Sequence, residues 1–154
     1  MGHDVNLAEL DARDAKIDAL EAAIRSDLPP VEMPVKSYFA PGLYARELFI
    51  PKGTILTGKI HKYANLSIMS AGALKLFMED GSTPVVRAPF TYVAEPGTRR
   101  AALALEDTVW TVVHATEETD VAEIEKQVIC QTPADYRLFL EQQNQLAAPT
   151  AEGV

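Results

Sequence analysis

Apolar and polar positions follow two different rhythms along this chain. Over residues 5–27 the rhythm is helical: Leu10, Ile17 and Ile24 recur every seven residues, with Leu7 and Leu20 beside them and charged residues opposite. Asn6 is placed to cap this helix, and Leu28-Pro29-Pro30 ends it, because proline cannot continue a helical hydrogen-bond ladder. The apolar seam is narrow and suits either packing on the rest of the chain or a short coiled coil with a second copy. Residues 29–36 hold three prolines and predict an extended linker.

From Gly42 the rhythm changes to period two. In GLYARELFI, Leu43, Ala45, Glu47 and Phe49 fall on one face and Tyr44, Arg46, Leu48 and Ile50 on the other. Further strands are predicted over Thr54–Ile60, Asn65–Met69, Ala73–Met78, Thr83–Arg87, Thr91–Ala94, Arg99–Leu105 and Thr108–Ala115. Pro51-Lys52-Gly53, Ser70-Ala71-Gly72 and Glu95-Pro96-Gly97 mark turns between them. Asp80-Gly81 predicts a two-residue hairpin, and Glu106-Asp107 predicts a last hairpin joining the strands on either side. About eight short strands at such spacing predict an antiparallel sandwich or barrel, and no interleaved helical pattern supports a parallel α/β sheet. After Thr116 the helical rhythm returns, with Thr119-Asp120 as a cap for Val121–Val128 and Thr132-Pro133 opening another helix. The predicted organisation is an amphipathic helix (1–28), a linker (29–36), a β-barrel (37–116), a helical region (117–146) and a flexible tail (147–154).

Composition narrows the functions. The formal charge is −8, and Arg99-Arg100 is the one clustered arginine pair, so a nucleic-acid backbone is not the expected partner. A single cysteine, Cys130, excludes an intrachain disulfide and a Cys-rich zinc motif. The start of the chain is polar and acidic, unlike a signal peptide, and no apolar run approaches the roughly 20 residues of a membrane span. A cytoplasmic location without membrane contact is the expectation.

The glycine frame carries a resemblance. Gly53 is followed after five residues by Lys59-Ile60-His61, after three more by Asn65, and after six more by Gly72. Gly97 is followed after two residues by Arg100 and after three more by Ala104. This frame over residues 38–116 resembles the two signatures of the cupin superfamily, and the wording of GLYARELFIPKGTILTGKIHK and ALEDTVWTVVHAT resembles small cupin-like proteins of phages and prophages. The resemblance implies an all-β fold: an antiparallel jelly-roll barrel with the N-terminal and C-terminal helices docked outside. It also implies sheet-mediated homo-oligomers and a metal centre of three imidazoles and a carboxylate. Here Lys59, Asn65 and Arg100 stand at three of those four positions and only His61 matches.

The candidate residues follow from that mismatch. If Lys59 and Arg100 point inward, with Arg46 as a third cation, the pocket is cationic and selects a small anionic ligand; if they lie on a strand edge they are merely solvated. His61 is either a packed neutral imidazole or a polar contact and proton carrier. His114 shares a face with Trp110 and Val112 and meets His61 across the barrel if that face is inward. Two histidines with Glu47 or Glu106 would then suit a divalent transition metal, as in an oxygenase or isomerase. Tyr44, Tyr63 and Trp110 are core or stacking surfaces, and Ala101, Ala102 and Ala104 leave room inside. Ligand contacts are therefore expected from His61, Lys59, Arg100, Asn65, Trp110 and Tyr44, metal contacts from His61 and His114 or no cofactor at all. A homo-oligomer is expected. The alternative to ligand binding is a structural or interaction protein of a phage-like assembly.

Overall fold

The computed structural model describes residues 6–147, with helices α1 (Leu7–Asp27), α2 (Val121–Val128) and α3 (Pro133–Ala147) around two antiparallel sheets. The larger sheet has the order β1-β2-β10-β5-β8, formed by Val35–Ala40, Leu43–Ile50, Thr108–Ala115, Asn65–Ala71 and Phe90–Ala94. The smaller has the order β3-β9-β6-β7, formed by Ile55–Thr57, Ala101–Ala104, Ala73–Phe77 and Val85–Arg87. A two-residue strand, β4 (Ile60–His61), pairs with β11 (Ile129–Cys130). Ile50 and Met69 from the larger sheet meet Leu74, Leu76, Ala102 and Ala104 from the smaller in one apolar core. The architecture is a β-sandwich jelly roll. Among the described residues no ladder joins the two sheets, so the expected closed barrel is instead a sandwich.

Three expectations need correction. Residues 35 and 36 belong to β1 rather than to a linker, since Val35 and Lys36 pair with Leu48 and Glu47 once Pro34 is past. Glu106-Asp107 closes no hairpin: β9 and β10 lie in different sheets, and the chain crosses between them. The crossing is tight because buried Thr108 donates to the Glu106 carbonyl, and Gly72, at φ +92°, leaves room for Asp107 and Thr108 where a Cβ would collide. The Asp80-Gly81 turn holds three residues between Met78 and Ser82 rather than two. There the Asp80 carboxylate accepts from Ser82 N–H, and Gly81 takes φ +84°.

The helices dock as separate pieces. Asn6 caps α1 by accepting from the amides of Ala8 and Glu9. Leu10 packs on the satellite cluster of Ile60, Cys130 and Tyr136, and Ile17 is buried, so the heptad seam is spent on the chain's own surface. A buried polar clamp does the rest. The Asp14 carboxylate, 5% exposed, accepts from Arg13 at 3.2 and 3.1 Å and from Arg99 at 3.3 Å. Arg13 also donates to the Gly97 carbonyl at 2.6 Å, and Arg99 reaches Asp18 at 2.8 Å and Glu21 at 3.5 Å. Asp120 caps α2 as expected, and α2 sets Ile124 and Val128 against Tyr44. No described helix is long and apolar enough to cross a membrane. The predicted tail lies outside the described residues from 148 onward.

Candidate functional site

The inner face of the larger sheet changes character along its strands, and strand register fixes where. At one end Val35, Leu48, Trp110, Met69 and Phe90 stand side by side, and the middle three, Leu48, Trp110 and Met69, belong to the apolar core. The next row is Ser37, Arg46, Val112, Ser67 and Tyr92. The row beyond begins Phe39, Tyr44, His114, and continuing the β10–β5 register by one residue brings Asn65 opposite His114. One end of the sandwich is therefore apolar and the other polar, covered by α2 and the β4–β11 pair.

The polar end gathers several of the expected residues. His61 comes from β4 and His114 from β10, with nearly parallel rings whose centroids are 5.5 Å apart. Tyr44 continues the stack at 6.4 Å from His114, and Phe39 lies 5.2 Å from Tyr44. The Tyr44 hydroxyl shares a 3.1 Å hydrogen bond with Ser37. Asn65, 5% exposed, accepts from Ser67 Oγ through Oδ1, while its Nδ2 has no partner among the described residues. His61 Nδ1 is likewise buried and unpartnered. An orphaned buried polar atom costs about 1–3 kcal/mol, so two within five residues of one another, both next to His114, are an uncommon expense for a fold to carry.

Electrostatics hold both imidazoles neutral. Burial, then the neighbouring His114 and then Arg46, lower the pKa of His61 to about 4. Burial first and Arg46 second also lower that of His114. Arg46 makes no ion pair among the described residues, so its positive charge is uncompensated by any side chain there. At neutral pH the cluster thus presents a cation, an amide donor and two neutral rings that each donate and accept.

Other expected residues fall elsewhere. Trp110 lies in the apolar row, edge-on to Tyr92 at 5.8 Å. The Arg100 guanidinium carbon lies 5.6 Å from the Tyr92 ring centre, one row from the histidines. Lys59 is exposed and lines a cleft of about 350 Å³ together with Asp18, Glu21 and Arg25. The strand breaks at Gly58-Lys59, where Gly58 N–H donates to the Arg100 carbonyl, and this break separates Lys59 from His61. Tyr63 is exposed and edge-on to Phe139 of α3 at 5.6 Å.

The donor set does not fit the metal centre that the resemblance implies. Among the described residues no three His, Cys, Asp or Glu side chains are grouped to hold an ion. Glu47 sits on the opposite face of β2 from Tyr44 and Arg46, and Glu106 is exposed and paired with Arg87. Neither supplies the carboxylate expected beside His61 and His114, and the Arg46 charge opposes a cation.

No protein-family model matches the chain, and no curated protein sequence is similar to it. Similar solved structures are cupin and double-stranded β-helix proteins. A double-stranded β-helix protein from Klebsiella pneumoniae is 14% identical over 63% of this chain and 84% of its own, with a TM-score of 0.48. A cupin domain from Bordetella pertussis is 13% identical over 58% and 98%, with a TM-score of 0.46. KdgF from a Halomonas species is 19% identical over 57% and 86%, also with a TM-score of 0.46.

Proposed function

We propose that this protein binds a compact anion, a small carboxylate or oxyanion, at the polar end of the sandwich. The observation that carries the reading is the pair of unpartnered buried atoms, Asn65 Nδ2 and His61 Nδ1, whose residues both flank His114, with the uncompensated Arg46 one row away. An acceptor oxygen would satisfy the amide donor, and its charge would be matched by the guanidinium. Arg100, over Tyr92, adds a second cation one row away. Calorimetric titration with acetate, malonate and inorganic phosphate tests this. Asn65→Leu and Arg46→Met are each expected to weaken binding about tenfold or more, the worth of one charge-assisted hydrogen bond. Wild-type affinity in both variants would refute the reading.

A second reading, an interaction module that works by self-association, is favoured by the outer face of the larger sheet. There one row, Tyr38-Ala45-Val113-Leu66-Val93, is apolar across all five strands. Val93 is 59% exposed and Tyr38 49%. The adjoining row pairs Lys36 with Glu47, so the face is close to neutral although the chain is strongly acidic. A neutral apolar sheet face of this kind suits a second copy packed sheet on sheet.

A further inference from the structure

A cavity of about 500 Å³ lies between α1 and the end of the smaller sheet, outside the site described above. Its existence follows from how α1 is attached. The helix is held by the Asp14 clamp and by Thr57, whose hydroxyl donates to Glu21 at 2.6 Å, rather than by a continuous apolar seam. Ile17 and Leu20 face Phe77, Met78 and Ala101 across a gap that these side chains leave unfilled. Ala101, where the strand needs a small residue, sits opposite Phe77 in register and contributes no bulk to close it. Phe77 stays 38% exposed although a helix lies over this end of its sheet.

The walls are charged, with cations and carboxylates both present. Four cations line the cavity, Arg13, Lys16, Arg99 and Arg100, against the carboxylates of Glu79 and Asp80. The Asp80 carboxylate is already engaged by Ser82 N–H, and Arg13 and Arg99 are engaged by Asp14, Asp18 and the Gly97 carbonyl. Among the described residues Lys16 and Arg100 make no ion pair, and exposed Lys16 meets the Glu79 carbonyl at a long 3.4 Å. An apolar floor with an exposed ammonium at its rim matches a molecule that has a hydrocarbon or aromatic body and one acidic group. The volume lies within the roughly 300–1,000 Å³ of small-molecule sites.

We infer that this cavity is a second binding site, for a monocarboxylate with an apolar body. It is distinct from the anion site at the polar end of the sandwich, the two sharing Arg100. The test is titration of isotope-labelled protein with octanoate and with octanol, followed by methyl NMR signals of Ile17, Leu20 and Ala101. Octanoate is expected to move these signals saturably. Leu20→Trp, which fills the gap, is expected to weaken octanoate about tenfold or more. Lys16→Gln is expected to weaken octanoate several-fold and leave octanol unchanged. Asn65→Leu is expected to leave octanoate binding unchanged, which separates this site from the other. Absence of saturable shifts at millimolar octanoate would overturn the inference. So would saturable shifts confined to methyl groups away from Ile17, Leu20 and Ala101, or equal weakening of acid and alcohol by Lys16→Gln.

Discussion

Asp14→Ala is the sharpest perturbation of how α1 is held. The carboxylate is buried, and it receives three guanidinium N–H groups, two from Arg13 and one from Arg99, at 3.1–3.3 Å. Removing it leaves Arg13 with the Gly97 carbonyl alone, and Arg99 with Asp18, Glu21 and the Gly58 carbonyl. Breaking a buried ion pair from one side costs about 3–5 kcal/mol, because the surviving charge stays buried. Arg99 keeps other carboxylates, so the expected loss is at the lower end, about 3 kcal/mol. The assay is urea unfolding at neutral pH, with Asp18→Asn as the control. The Asp18 side chain is 52% exposed, and its loss is expected to cost about 1 kcal/mol or less. A change below about 0.5 kcal/mol for Asp14→Ala would show that the clamp does not hold the helix, and the account of the cavity beneath it would fall too.

Acid should destabilise the fold through the histidines. Above pH 6.5 His61 is neutral folded and unfolded; as pH falls, the unfolded imidazole takes a proton near 6.5 while the folded one resists to about 4. Stability is therefore full above 6.5 and declines toward 4 by about 3 kcal/mol, with His114 adding in the same direction. A urea midpoint that stays flat between neutrality and pH 5, or that declines equally in His61→Gln, contradicts this. Val113→Glu, in the middle of the outer apolar row, should convert a dimer to monomer in sedimentation while the circular dichroism spectrum stays that of the folded chain; an unchanged mass sinks the self-association reading. Gly97→Ala should cost about 2 kcal/mol or more, since Gly97 has φ +80° and a Cβ would strike the Tyr136 ring. Tyr136→Leu should recover part of that loss, and no recovery would mean that backbone strain alone is responsible.

Much of the fold was legible because period-two alternation reports a sheet with one face inside. Tyr44, Arg46, Leu48 and Ile50 share the inner face as their alternation predicts, and the strand Thr108–Ala115 and the cap at Asp120 fall where the residues place them. Strand β1 was obscured because VKSYFA is exposed along its whole length and shows no alternation to read. Alternation is also silent on which strands pair, so the crossing after β9 read as a hairpin. In the candidate site, Trp110, Val112 and His114 were assigned one face by parity, and that face proves inward. Parity fails at Gly58-Lys59, where the strand is interrupted, and Lys59 goes to the surface. The buried roles of Arg13, Asp14 and Arg99 had no signal beyond charge, and charged residues on an amphipathic helix normally face water. Ser67 and Tyr92 were passed over because they carry no motif; they matter only through the rows in which register sets them.

The anion-binding account turns on Asn65, and the side-chain amide of that residue can be watched directly. In proton–nitrogen NMR spectra recorded during titration with acetate, malonate and phosphate, the Asn65 Nδ2 resonances are predicted to shift saturably. The His61 ring nitrogens should respond over the same concentration range. Resonances of Asn65 and His61 that stay in place while every anion is raised to millimolar concentration would contradict the account.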